Sequence, residues 1–173
     1  MSRFKMLAFV ALITLAFGVA LVGDALAEKV KGRNIYHAVK WEQVNVGDKD
    51  GHVVAVHEVK GITTNLEGKW FCNGYAYHET SLCDVNLKTG DGSGQGYLDQ
   101  TDRDGDKFYC TWEGKHMQGG KFATGYWTAT WNVVKGTGKF EGIHGGGTST
   151  EMYYPAEMLF YANAEWDVEL PRR

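Results

Sequence analysis

Proline is nearly missing from this chain: there are two in 173 residues, and both, Pro155 and Pro171, stand close to the C-terminus. Cysteine is scarce as well, and three thiols, Cys72, Cys83 and Cys110, cannot all be paired within one chain. Lysine and arginine form no cluster, so the basic footprint that phosphate binding needs is lacking and nucleic acid is excluded as a partner. After residue 27 no apolar run is long enough to span a bilayer, so no membrane partner is expected for the processed chain. No segment in that part carries an apolar stripe at helical period. The reactive motifs are absent too: there is no Gly-x-Ser-x-Gly elbow, no His-Glu-x-x-His, no Cys-x-x-Cys and no nucleotide loop. Hydrolase, zinc and nucleotide chemistry drop out accordingly, and nothing calls for a cofactor.

What the first residues do contain is an export signal. Arg3 and Lys5 precede an uninterrupted apolar stretch from Met6 to Val22, and Ala25-Leu26-Ala27 supplies the small-x-small pattern at which a leader is cut. The expected division is a signal peptide, 1–27, and a single β-barrel domain, 28–173, delivered to the periplasm or secreted. Arg3, Lys5 and Asp24 leave with the leader, which takes the formal charge from −3 to −4.

Glycine is the excess that matters, because 21 of the 23 fall after residue 27 and helices so rich in glycine are poor. Short runs of alternating, β-branched and aromatic residues recur between turn signals. They predict nine strands: 35–46, 52–60, 70–77, 82–87, 95–101, 107–113, 124–134, 148–153 and 157–168. Asp50-Gly51 and Asp104-Gly105 mark two hairpins. Asp102, Asp104 and Asp106 alternate as in a calcium loop, but Gln100 and Thr111 occupy the positions that such a loop gives to carboxylates, so no metal site is assigned. Along 125–133, Trp127, Ala129, Trp131 and Val133 share a face. Near the end, Met158, Phe160, Ala162, Ala164, Trp166 and Val168 face away from Leu159, Tyr161, Asn163, Glu165 and Asp167. Eight or nine such strands hide their edges most economically by closing, so the expected fold is all-β, a small closed antiparallel barrel of about eight strands, with a sandwich as the alternative. A hairpin turning near Tyr77 and His78 would set Cys72 opposite Cys83, and those two are the expected disulfide.

The run Gly136-Thr137-Gly138-Lys139-Phe140-Glu141-Gly142-Ile143-His144-Gly145-Gly146-Gly147 resembles the signature of the allene oxide cyclase and dirigent-like barrels. There a strand ends in a Gly-Thr-Gly-basic-Phe turn and enters a glycine-rich segment. Gly92-Ser93-Gly94-Gln95-Gly96 has the same rhythm. The resemblance implies a calycin-like barrel with an apolar cavity for a small hydrophobic or aromatic molecule, in a family whose barrels often form homo-oligomers. It implies no catalytic residue, since no acid, proline or asparagine aligns with either family site. Gly68-Lys69-Trp70 is similar to the Gly-x-Trp of lipocalins, over three residues only.

Six tryptophans and nine tyrosines suit walls that bind flat ligands. Tyr75, Tyr77, Trp112, Tyr126, Trp127, Trp131, Tyr153 and Tyr161 are the candidate ligand-binding residues. His57, on one face with Val53, Ala55 and Val59, and Glu165, beside Asn163 and Tyr161, are the candidate acid–base groups. Three readings follow: an exported barrel binding a small hydrophobic or aromatic molecule in its lumen, a cyclase or isomerase acting on such a molecule, or a non-catalytic scaffold or assembly protein.

Overall fold

A computed structural model of the protein describes residues 26–68, 72–118, 125–154 and 156–170. Eight strands follow one another: β1 (Leu26–Asn45), β2 (His52–Glu67), β3 (Tyr75–Asn86), β4 (Gly92–Thr101), β5 (Lys107–Gln118), β6 (Gly125–Gly136), β7 (His144–Tyr154) and β8 (Leu159–Leu170). Each pairs with its successor, and β8 returns to β1, so the sheet is a closed antiparallel barrel with no unpaired edge. The sandwich alternative is thereby excluded. Of the expected leader only Leu26 and Ala27 are described, as the first rungs of β1 opposite Leu170 and Glu169. Lys69 and Trp70 of the lipocalin-like triplet lie outside the described residues.

Eight strands replace the nine expected because 70–77 and 82–87 are not two strands joined by a turn. Tyr77 and His78 sit inside β3, paired with Gly61 and Lys60. The inward row of that strand is Tyr75, Tyr77, Glu79, Ser81, Cys83 and Val85, all buried. Two polar residues on that row, Glu79 and Ser81, break the apolar alternation and imitate a turn. The real reversal lies lower, between Gly68 and Gly74, where both glycines and Cys72 have positive φ. The expected disulfide falls with the false hairpin. From Tyr75 to Cys83 alone the strand rises about 25 Å, against the ~7 Å limit for bridging two Cα atoms. All three cysteines are free and buried.

One end of the barrel is sealed by the glycine-rich signature. Gly138–Phe140 forms a single 3-10 turn after β6, and Phe140, fully buried, meets Phe108 at 5.4 Å and Tyr75 at 5.9 Å between ring centres. Gly138 is required there on two counts. Its φ is +52°, and an added Cβ would stand 1.7 Å from the Asp106 carboxylate, which accepts the Lys139 N–H at 3.0 Å. Asp102, from the apparent calcium loop, accepts the Asp104 and Asp106 N–H groups at 2.8 and 3.0 Å and pairs with Lys139. Its carboxylate therefore tightens the β4–β5 turn and ties it to the plug. Above the plug, Val30, Cys110, Trp131, Trp166 and Val168 fill this half of the lumen.

At the other end the lumen stays open, and two sequence devices keep it so. In β4 the inward positions are Gly92, Gly94 and Gly96, opposite Val85, Cys83 and Ser81. A Cβ on Gly94 would come within 3.0 Å of both the Trp112 and Trp127 rings, so the bare backbone gives those indoles their place. In β1 a bulge between Ala38 and Lys40 shifts the pairing by one residue. The inward series Asn34, Tyr36, Ala38 therefore continues as Trp41 and Gln43, which both reach the cavity.

Candidate functional site

The open half holds a cavity of about 370 Å³, within the range of small-molecule sites. Two aromatic groups face each other across it. On the β8, β1 and β2 side, Phe160 stacks on Tyr153 at 4.5 Å and on Tyr36 at 5.2 Å, and the His57 ring lies 5.2 Å from Phe160 and 5.3 Å from Trp41. On the β5 and β6 side, Trp127 packs edge-on to Trp112 at 5.9 Å and lies 5.1 Å from His116. Gly125 leaves room for that imidazole, whose Nδ1–H donates to the Gly90 carbonyl.

Below these rings sit two buried carboxyl groups, Glu79 from β3 and Glu151 from β7, four strands apart around the ring and thus on facing walls. The Tyr77 hydroxyl donates to Glu79 and the Tyr36 hydroxyl to Glu151, and the two tyrosines stack at 4.8 Å. Ser149 donates to the second Glu151 oxygen at 2.9 Å. Every one of these donors is neutral. Burial raises the pKa of both carboxyls, and the charge of Glu151 pushes Glu79 further, to about 8, against the opposing pull of Tyr77, Ser81 and Trp112. Both phenols are held well above their ordinary pKa, first by burial and then by the adjacent carboxylates.

His57 points the same way by a different route. It is 6% exposed, and burial lowers its pKa to about 4, so it is neutral at neutral pH. Its Nδ1 lies 3.3 Å from the Ser81 hydroxyl, while Nε2 has no hydrogen-bond partner among the described residues. A buried polar atom without a partner, on a side chain that lines a cavity, is a position for a ligand atom.

Of the residues singled out from sequence, the structure brings His57, Trp112, Trp127 and Tyr153 together around this cavity. Tyr75, Tyr77 and Trp131 lie deeper, in the packed core, with Tyr77 reaching the site through Glu79. Tyr126, Tyr161 and Glu165 are on the outside of the barrel. Tyr126 donates to Met117 Sδ at 3.7 Å, Arg33 lies over the Tyr161 ring at 4.9 Å, and Glu165 is exposed between inward Ala164 and Trp166. Parity separates them from the lumen, and no rearrangement short of a register slip would turn them in. Glu79, Glu151, Tyr36, Trp41, His116 and Phe160 are the site residues that sequence reasoning passed over. The signal for Glu79 was there, since it lies in step with Tyr75, Tyr77, Cys83 and Val85.

Comparison of the chain with protein-family models and with curated proteins gives no match.

Proposed function

We propose that this protein is an exported barrel that holds a small hydrophobic or aromatic molecule in its lumen. The observation that carries the reading is the half-filled barrel: one end is plugged by Phe140, and the other opens on about 370 Å³ walled by Tyr36, Trp41, Trp112, Trp127, Tyr153 and Phe160. Rings of this kind offer flat apolar faces at low entropy cost, and edge or face contacts with a ligand ring are each worth about 0.5–1.5 kcal/mol beyond area burial. The likeness of the 136–147 segment to the allene oxide cyclase and dirigent-like barrels supports the same reading, and the leader pattern at 3–27 supports export. Native mass spectrometry of the protein purified from its own host tests it. A bound mass that leaves on denaturation is expected. A clean apo mass, joined to failure to take up the neutral apolar dye N-phenyl-1-naphthylamine, would refute it.

A second reading has its own observation. Two buried carboxyls in an apolar cavity, both with raised pKa and Glu79 raised to about 8, are poised for acid–base work on a bound molecule, which is the chemistry of a cyclase or isomerase. The groups that would act are Glu79 and Glu151, in place of Glu165. Under that reading Glu79→Gln and Glu151→Gln abolish turnover while dye uptake persists.

A further inference from the structure

We propose that the lumen selects a ligand carrying an organic ammonium group, bound with its apolar body among the rings and its cationic nitrogen between Glu79, Glu151 and the Nε2 of His57. The inference rests on the lumen-binding reading and names the chemistry of its occupant.

The first ground is the charge inventory of the cavity. Among the described residues its lining includes two carboxyl groups and no lysine or arginine. Buried carboxylates in folded proteins are ordinarily matched by a cation. Here the donors to Glu79 and Glu151 are the neutral hydroxyls of Tyr77, Tyr36 and Ser149. These orient the carboxyl oxygens without neutralising them, so the site is short of one positive charge.

His57 supplies the second, independent ground. With Nδ1 against the Ser81 hydroxyl and the ring uncharged, a tautomer that donates from Nδ1 leaves Nε2 as an acceptor with nothing to accept. An ammonium group has three N–H donors, and the site presents three acceptor side chains. A carboxylate ligand would bring a like charge to the Glu151 carboxylate and meet an unprotonated imidazole. A neutral hydrocarbon would leave the His57 Nε2 without a donor and the carboxyl pair without a counter-charge in a medium of low dielectric.

The rings above the carboxyls complete the match. Trp41, Trp112, Trp127, Tyr153 and Phe160 present aromatic faces and edges around the cavity, and a cation near such faces is attracted by the ring quadrupoles. An aryl-alkyl amine is the class that uses both features, with its ring between the two aromatic walls and its nitrogen on the floor.

The test uses three indoles of nearly one shape, tryptamine, 3-propylindole and indole-3-propionate, as competitors of N-phenyl-1-naphthylamine bound to the purified protein at pH 7. Tryptamine is expected to displace the dye at a concentration at least tenfold below 3-propylindole, with indole-3-propionate the weakest. In the double variant Glu79→Gln, Glu151→Gln, the tenfold advantage of the amine is expected to vanish while dye uptake remains. Equal displacement by tryptamine and 3-propylindole on the wild type overturns the ammonium assignment and leaves the lumen-binding reading standing. So does uptake of the dye with no displacement by the amine. Absence of dye uptake by the folded wild type removes the lumen-binding reading itself, and this inference with it. The ranking on the wild type decides the matter even where the double variant does not fold.

Discussion

Replacing Glu79 by Gln should flatten the dependence of stability on pH above neutrality. The Glu79 carboxyl is fully buried and its pKa is raised from 4.5 to about 8, first by burial and then by Glu151. A folded-state pKa above the unfolded value means that the contribution is fully present below pH 4.5 and is lost as pH climbs through 8. At 1.36 kcal/mol per pH unit the span of the shift corresponds to an upper bound of about 5 kcal/mol. Only the part of that span above pH 6.5, roughly 2 kcal/mol, falls in the window, so at roughly 2–4 °C per kcal/mol for a chain of this size the fall in Tm between pH 6.5 and 9 is about 4–8 °C. The window starts at 6.5 because most of the titration of His57, whose pKa is lowered from 6.5 to about 4, lies below it, and what remains is common to wild type and variant. His52, which Asp48 and Asp84 hold above its ordinary pKa, also loses its contribution as pH rises, but it does so in wild type and variant alike. Thermal unfolding followed by near-ultraviolet circular dichroism at half-unit steps, on wild type and Glu79→Gln, isolates the difference. The variant should keep less than half of the wild-type slope, the remainder coming from His52 and Glu151. Equal slopes would mean that Glu79 ionises as freely in the barrel as in water, and the account of a dry carboxyl floor would be wrong.

Gly94→Val should push Trp112 and Trp127 into the cavity, since even a Cβ there comes within 3.0 Å of both rings; dye uptake is expected to be lost, with a destabilisation of about 1–3 kcal/mol for overpacking. Phe140→Ala removes the plug and should cost about 3–5 kcal/mol by denaturant unfolding, while the folded fraction still takes up dye. Cys72, Cys83 and Cys110 are all buried thiols held above their ordinary pKa by burial. Ellman's reagent should therefore find three thiols in denaturant and react only slowly with the native protein, and a reductant should leave Tm unchanged.

Alternation made much of the barrel legible in the sequence. The faces read for 125–133 and 158–168 are the faces observed, with Trp131, Phe160, Ala162, Ala164, Trp166 and Val168 inside, and His57 lies on the inner wall with Val53, Ala55 and Val59. The same alternation already placed Tyr161 and Glu165 on the face opposite Phe160. Two features defeated the pattern for physical reasons. Polar residues at inward positions of β3 looked like a turn, because a strand that turns carboxyl and hydroxyl groups into the lumen does not read as a core strand. The bulge at Ala38 and Lys40 reverses which residues of β1 face in, so Trp41 carried the parity of an outward residue when counted from Tyr36. Both failures fall at the candidate site, the kind of place where a sequence departs from local rules.

That coincidence has an energetic side. A barrel filled throughout with aliphatic side chains would be more stable than this one, since each buried carboxyl held by neutral donors forgoes apolar contact and is difficult to ionise. The fold confines such groups to the half of the lumen where packing is already incomplete. Its cohesion comes from the other half, where Phe140, Phe108, Tyr75, Trp131 and Trp166 interlock and Asp102 and Asp106 pin the plug from outside. The two halves meet through the Trp112, Trp131 and Trp166 rings, and Glu79 and Glu151 lie on the cavity side of them, so a change at the plug should act on folding and a change at Glu79 or Glu151 on occupancy and pH response. A mutation of either carboxyl that unfolded the chain as severely as Phe140→Ala would show instead that the floor is part of the structural core, and the division of labour within the barrel would not hold.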